Sequence, residues 1–318
     1  MAYLDEDQRR RARRRNVAQS LLLTGGIGAI TALSAYILFG REGILWALIL
    51  IGVFALIGPS VAPDAIMRMF NARPIDPSRA GDIIQIVRIL SDRAGLSAAP
   101  RLYLIPSPTL NAFAIGTPSS YSIGITEGLL RRLDLRELAG VLAHEITHVR
   151  NNDIWVMSLA DILSRLTRTM SFFAVVLFFL SVPAALMGTA MPWSAIAILY
   201  FAPTLSSLLQ LALSRAREYD ADLGAVTLTG DPDALSSALN KLERYQGRFW
   251  EDIFMPGRRI PAPSVLRTHP QTSRRIARLM ALQKPASQPL SLPKLPSQVF
   301  GFGSVPRHPR FHWTGFWY

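Results

Sequence analysis

Residues 144–148 read His-Glu-Ile-Thr-His. Two histidines four positions apart share one face of a helix, and two neutral imidazoles so placed make two corners of a tetrahedral zinc site. Glu145 lies beside them, where a carboxylate can take a proton from a water. The stretch Asp134–Asp153 reads as the helix that would present them. Asp134 and Glu137 have the spacing of a capping box. Leu135, Leu138, Val141, Leu142, Ile146 and Val149 form an apolar stripe, and Asn151-Asn152-Asp153 weakens the helix after the second histidine. So short a pattern also arises by chance, so the third ligand decides its meaning. The chain has no Cys, so a metal must be held by histidines and carboxylates. Catalytic zinc takes three protein ligands and keeps an open position. Glu218 is the best candidate for the third. It stands four residues before Asp222 in Glu-Tyr-Asp-Ala-Asp, so the two share a helical face. Asp222 is then placed to accept the N–H of His144 and fix its tautomer. The competing reading is a solvated acidic face beside Arg215 and Arg217, and Asp220 is expected in solvent either way.

The elements that must carry these residues are unusually apolar. Half of the 318 residues are hydrophobic, and the mean hydropathy is +0.24, which points to membrane segments. The net charge of +12 comes almost wholly from Arg, with Lys only at 241, 284 and 294. Such a surplus suits an anionic membrane face or nucleic acid. No base-stacking motif accompanies it, and the apolar runs favour the membrane. Val17–Phe39 and Gly43–Ala62 are two runs long enough to cross a bilayer, with Arg41 and Glu42 as the turn between them. A signal peptide also begins with a basic stretch and an apolar run. The length of the first run and the immediate second run favour a hairpin. Met170–Met191 and Trp193–Ser214 form a second hairpin, each run holding one Pro. A buried soluble hairpin is the alternative, against which length and lack of charge both count. Arg flanks the outer ends of both hairpins, so the positive-inside rule places those ends in the cytoplasm.

Between and after the hairpins the chain reads as a soluble domain in two parts, 63–153 and 215–282. Asp82–Arg93 is an amphipathic helix stopped by Gly95. Arg101–Ile105, Asn111–Ile115 and Tyr121–Ile125 read as strands. The stretch 154–169 is an amphipathic linker carrying an Asp161–Arg165 pair, and Ser214–Leu228 is a helix of its own. Asp231-Pro232 starts another helix, through Tyr245, with Asp231 as N-cap, and Pro270–Leu282 is the last. Residues 1–16 read as a disordered basic arm, and 283–318 as a disordered tail rich in Pro and aromatics. The fold class is an α-rich α+β multi-pass membrane protein with about four transmembrane helices and a small β-sheet.

Taken in order, the paired apolar runs, Asn-Ala-Phe-Ala at 111–114, His-Glu-x-x-His, the second paired runs, Glu-Tyr-Asp-Ala-Asp and Thr-His-Pro at 268–270 resemble the HtpX-type membrane zinc metalloproteases, gluzincins related to the CAAX prenyl endoproteases. The resemblance covers roughly residues 10–285; the basic arm and the tail depart from it. It implies one Zn2+ held by His144, His148 and Glu218, with Glu145 as base, and cleavage of membrane proteins, typically damaged ones, at the cytoplasmic side. Asn111 and Ala112 match the edge strand that pairs with substrate backbone. Such an edge binds an extended peptide by strand addition. The family keeps a His or related group late in the chain, which makes His269 the candidate for stabilising the oxyanion. A cap on the helix after Pro270 is its plain alternative. Arg275 either supports this site or forms a structural salt bridge.

The resemblance thus implies a zinc metalloendopeptidase of the bacterial inner membrane acting in protein quality control, and the positive-inside rule a cytoplasmic N-terminus and site. Its partners would be polypeptides, lipid, and further copies of itself or other membrane proteases. A non-proteolytic membrane scaffold retaining a zinc site is the alternative, and the intact Glu145 argues against it.

Overall fold

The computed structural model describes residues 6–57, 63–76, 80–117, 119–188, 193–254 and 272–281. They form two compact units. One comprises the described residues within 61–152 and 221–318, the other those within 7–60 and 153–220. The boundary at 220/221 falls inside one unbroken helix.

In the first unit, a four-stranded sheet runs in the order β1 (Arg73–Pro74), β2 (Arg101–Ile105), β4 (Ser120–Thr126), β3 (Ala112–Thr117). β4 lies at the centre, parallel to β2 and antiparallel to β3. β3 is left as an edge. Against the sheet packs α3 (Gly81–Ala94), through Ile83, Ile86, Val87 and Leu90, and the same core takes in Leu142 and Ile146 of α5 (Leu135–Arg150). The expected strands and both helices are present. α2 (Pro63–Met69), the two-residue β1 and α4 (Glu127–Arg132) are additions too short for periodicity to reveal. α8 (Pro232–Phe254) begins as expected, with Asp231 Oδ1 accepting from the Ala234 N–H at 3.0 Å, but runs past Tyr245. α9 (Thr272–Ala281) follows.

α5 starts where the sequence says it should. Asp134 accepts from the Glu137 N–H at 2.8 Å and Glu137 accepts from the Asp134 N–H at 2.9 Å, the reciprocal capping box. The Glu137 carboxylate also accepts from Ser237 (2.7 Å) and Lys241 (2.6 Å) of α8. Burial alone would raise its pKa. The hydrogen bonds from Lys241, Ser237 and the Asp134 backbone outweigh that and hold it below the ordinary 4.5.

The second unit is helical. α1 (Glu6–Ile57) breaks at Gly40, whose φ of 64° and ψ of −148° suit glycine alone. A methyl on Gly43 would sit 2.3 Å from the carbonyl oxygen of Ala35. In a straight helix, positions eight apart lie about 12 Å from each other, so the chain doubles back at Gly40. The expected turn at Arg41–Glu42 is therefore made one residue earlier, by the residue that can adopt the angle. Leu23 and Ile27 of the first arm pack with Ile51 of the second and with Ala160, Leu163 and Leu213.

Three expectations change. The basic residues from Glu6 onward are helical and continuous with the first span rather than disordered, since Arg and Ala are good helix formers. The linker 154–169 and the next span are one helix, α6 (Asp153–Leu186). The span from Trp193 and the helix bearing Glu218 are likewise one, α7 (Trp193–Thr229), because after Pro203 only the interior Gly224, which a helix tolerates, precedes the left-handed Gly230. Among the described residues three helices, in α1, α6 and α7, are long and apolar enough to cross a membrane. With the first folded at Gly40 they supply four apolar arms. Their outer faces bare Leu22, Trp46, Phe179, Leu180 and Phe201, exposure that lipid favours and water penalises.

The Gly224 and Glu137 contacts carry two predictions. A methyl on Gly224 of α7 would meet Thr147 Cγ2 of α5 at 2.2 Å, and Thr147 is fully buried. Gly224→Ala therefore lowers the melting temperature of the detergent-purified chain, even though alanine adds about 1 kcal/mol of helix propensity; a rise would sink this packing argument. Glu137 has a depressed folded-state pKa, so its contribution is complete above 4.5 and is lost as pH falls through the lower folded value. Lys241→Met is expected to lower stability at neutral pH by about 1 kcal/mol, Lys241 being half-exposed, and to flatten the acid side of a stability–pH curve.

Candidate metal centre

His144 and His148 project from the same face of α5, as their spacing requires. Their Nε2 atoms are 3.1 Å apart and their rings meet edge-on at 88°. Glu218 reaches them from α7. One ligand atom each from His144, His148 and Glu218 lie within 4.8 Å of one another. His144 and Glu218 are buried and His148 half-buried.

Asp222, one turn beyond Glu218 on α7, is buried. Its Oδ1 lies 3.1 Å from His144 Nδ1. Arg275 of α9 clasps the same carboxylate with both prongs, Nε to Oδ2 at 2.7 Å and Nη2 to Oδ1 at 2.6 Å. Arg275, Asp222 and His144 thus form a chain ending on the imidazole. A carboxylate facing Nδ1 favours the tautomer with its proton there and leaves a lone pair on Nε2. The His144 and His148 Nε2 atoms, 3.1 Å apart, are close to the separation of about 3.3 Å that tetrahedral coordination at zinc–nitrogen distances sets between two nitrogens. The donor set and its spacing therefore fit a divalent metal.

Glu145 points to the edge strand, where its Oε2 accepts from the Ala114 N–H at 3.2 Å. That bond also shows which backbone groups of β3 face outward. Asn111 spends both of its own on Thr126, its N–H on Oγ1 and its carbonyl on the Thr126 N–H. Alternation then turns Ala112 and Ala114 to the open side. The Asn111 backbone is thus engaged with Thr126, while the outward groups belong to Ala112 and to Ala114, which sequence reading passed over. The solvated-face reading of Glu218 and Asp222 is overturned by their burial. His269 lies outside the described residues.

Paired histidines on α5 and a buried carboxylate on α7, whose other end is apolar enough to cross a membrane, have the donor set of a membrane metallopeptidase. Residues 77–283 match the model of Peptidase family M48. The chain is 33% identical over 285 residues to a Protease HtpX homolog of Paraburkholderia phytofirmans, covering 85% of this chain and 98% of that one. It is 36% identical over 258 residues to a Protease HtpX homolog of Campylobacter concisus, covering 77% and 89% respectively. The crystal structure of S. mikatae Ste24p aligns at a TM-score of 0.49 and 21% identity, over 85% of this chain and 66% of that one. The chain belongs to peptidase family M48. It is a metal-dependent peptide hydrolase of a membrane, and its substrates are polypeptides.

Removing Arg275 would leave the Asp222 carboxylate buried without its two-pronged partner. Arg275→Met is expected to destabilise the first unit by about 3–5 kcal/mol, read as a lowered thermal midpoint. An unchanged midpoint would show the clasp to be energetically idle.

Proposed function

We propose that the protein is a zinc-dependent endopeptidase of the bacterial inner membrane that cleaves membrane or misfolded proteins at the cytoplasmic face, in protein quality control. The observation that carries this reading is the His144, His148 and Glu218 cluster, whose carboxylate sits on α7, a helix long and apolar enough to cross a membrane. The exposed Leu208 is ten residues before Glu218 on α7, about 15 Å along the axis. A site so near lipid suits substrates with a membrane segment or an unfolded stretch beside one. The orientation rests on Arg at the outer ends of both hairpins.

Each residue has a stated part. His144, His148 and Glu218 hold one Zn2+. Zinc bound there supplies Lewis acidity toward a carbonyl oxygen and a water. Glu145 takes the proton of the attacking water and delivers it to the departing amide nitrogen; the Ala114 N–H holds its carboxylate in place beforehand. Asp222, steadied by Arg275, orients His144. Substrate backbone adds to the open edge of β3 at Ala112 and its outward neighbours. His269 is the proposed donor to the oxyanion.

Glu145→Gln keeps the shape and removes the base. Casein cleavage by the detergent-purified chain is expected to fall by about 10²–10⁴-fold with zinc content unchanged. Cleavage at the wild-type rate by a zinc-loaded variant would refute the mechanism.

A further inference from the structure

A second set of buried charges lies outside the chemistry described so far. Arg217 of α7 donates from Nη1 to Asp153 at 2.9 Å and from Nη2 to Asp220 at 3.2 Å. The amide of Asn16, on α1, donates to the other oxygen of Asp220 at 3.2 Å. All four side chains are buried, at 3–8% exposure. Asp220, expected in solvent, is thus drawn inside by its two donors.

We propose that this cluster is a clamp that positions the metal ligand Glu218, with Arg217 as its central positioning residue. The proposal rests on the reading of Glu218 as a zinc ligand. Three features support it. Arg217 immediately precedes Glu218, so its azimuth on α7 fixes that of the ligand, and a slip of one residue would swing Glu218 by about 100°. α7 is 37 residues long, and apolar packing along lipid-facing arms resists such sliding weakly, because lipid is as apolar as the side chains it meets. A guanidinium is a rigid planar fork able to hold two carboxylates at once. Burying these charges carries a desolvation cost that well-packed apolar residues would avoid, so stability alone does not account for them. Asp153 and Asn16 extend the clamp. Asp153 opens α6 directly after the Asn151–Asn152 turn, five residues beyond His148. Its grip on Arg217 therefore references the Glu218 helix to the chain segment leaving the histidine helix. Asn16 brings in the first hairpin, at the point where its basic helix becomes apolar.

The test uses the full chain in detergent, stripped of metal and reloaded. Zinc affinity is read by competition with a chelator, and site geometry by the visible spectrum of the Co2+-substituted protein. Glu218→Ala is expected to lose zinc affinity by more than about 100-fold; retention would end the ligand reading, and this proposal with it. Arg217→Lys and Asp153→Asn are expected to weaken zinc by about 10–100-fold and to alter the cobalt spectrum. Asn16→Leu should do the same by a smaller factor. If Glu218→Ala loses zinc while the clamp variants keep wild-type affinity and spectrum, the positioning role is overturned. A fall in melting temperature alone would then identify the cluster as a brace between helices. Asp153→Asn is isosteric and decides the matter if Arg217→Lys does not fold.

Discussion

The site depends on how closely α7 passes α5. Glu218 is distant in sequence from the histidines it joins, and a metal tolerates only a few tenths of an ångström in its ligand distances. The passage is set where Gly224 faces Thr147, the residue directly before His148. Thr147 is fully buried and bonds its hydroxyl to the Ala143 carbonyl at 2.8 Å, which removes any freedom to turn aside. Gly140, one turn before His144, receives the Leu235 backbone of α8 in the same manner. Small residues on one face of α5 thus admit its neighbours, while the histidines stand beside that face.

Around this packing the chain accepts an unusual number of buried ionic groups. Asp222 satisfies two donors of Arg275 and faces His144. Glu137 caps its own helix and takes Ser237 and Lys241 from α8. Arg217 holds Asp153 and Asp220. Each charge is met by directed partners, which is the condition for burying it at all. Apolar contacts leave a helix free to slide or rotate by small amounts; directed ionic ones do not, and a hydrolytic site cannot absorb such shifts.

Along the apolar arms of the second unit, lipid replaces water as solvent. Thr31 and Thr167 share a hydroxyl contact at 2.9 Å between α1 and α6, of the kind that ties helices where apolar contact alone gives little preference. Large apolar side chains face outward instead of inward. The break at Gly40 lets one continuous stretch make two arms.

The sequence alone determined what depends on local spacing. The His-Glu-x-x-His face, the capping box at Asp134, the three longer strands, the Asp231 cap and the apolar runs all follow from periodicity and short-range hydrogen bonding, and each has its expected element. The pairing of Asp222 with His144 was legible because Glu218 and Asp222 are one turn apart and the chemistry needs both. Tertiary structure decided what depends on distant neighbours. Asp220 looks solvated from its surroundings in sequence and is buried because Asn16, more than two hundred residues away, bonds to it. Asn111 faces the sheet and Ala114 the open edge because the register against β4 sets that alternation. Gly224 looks like any helical glycine until Thr147 is placed against it. Spacing specifies which residues share a face; only the packed fold specifies what that face meets.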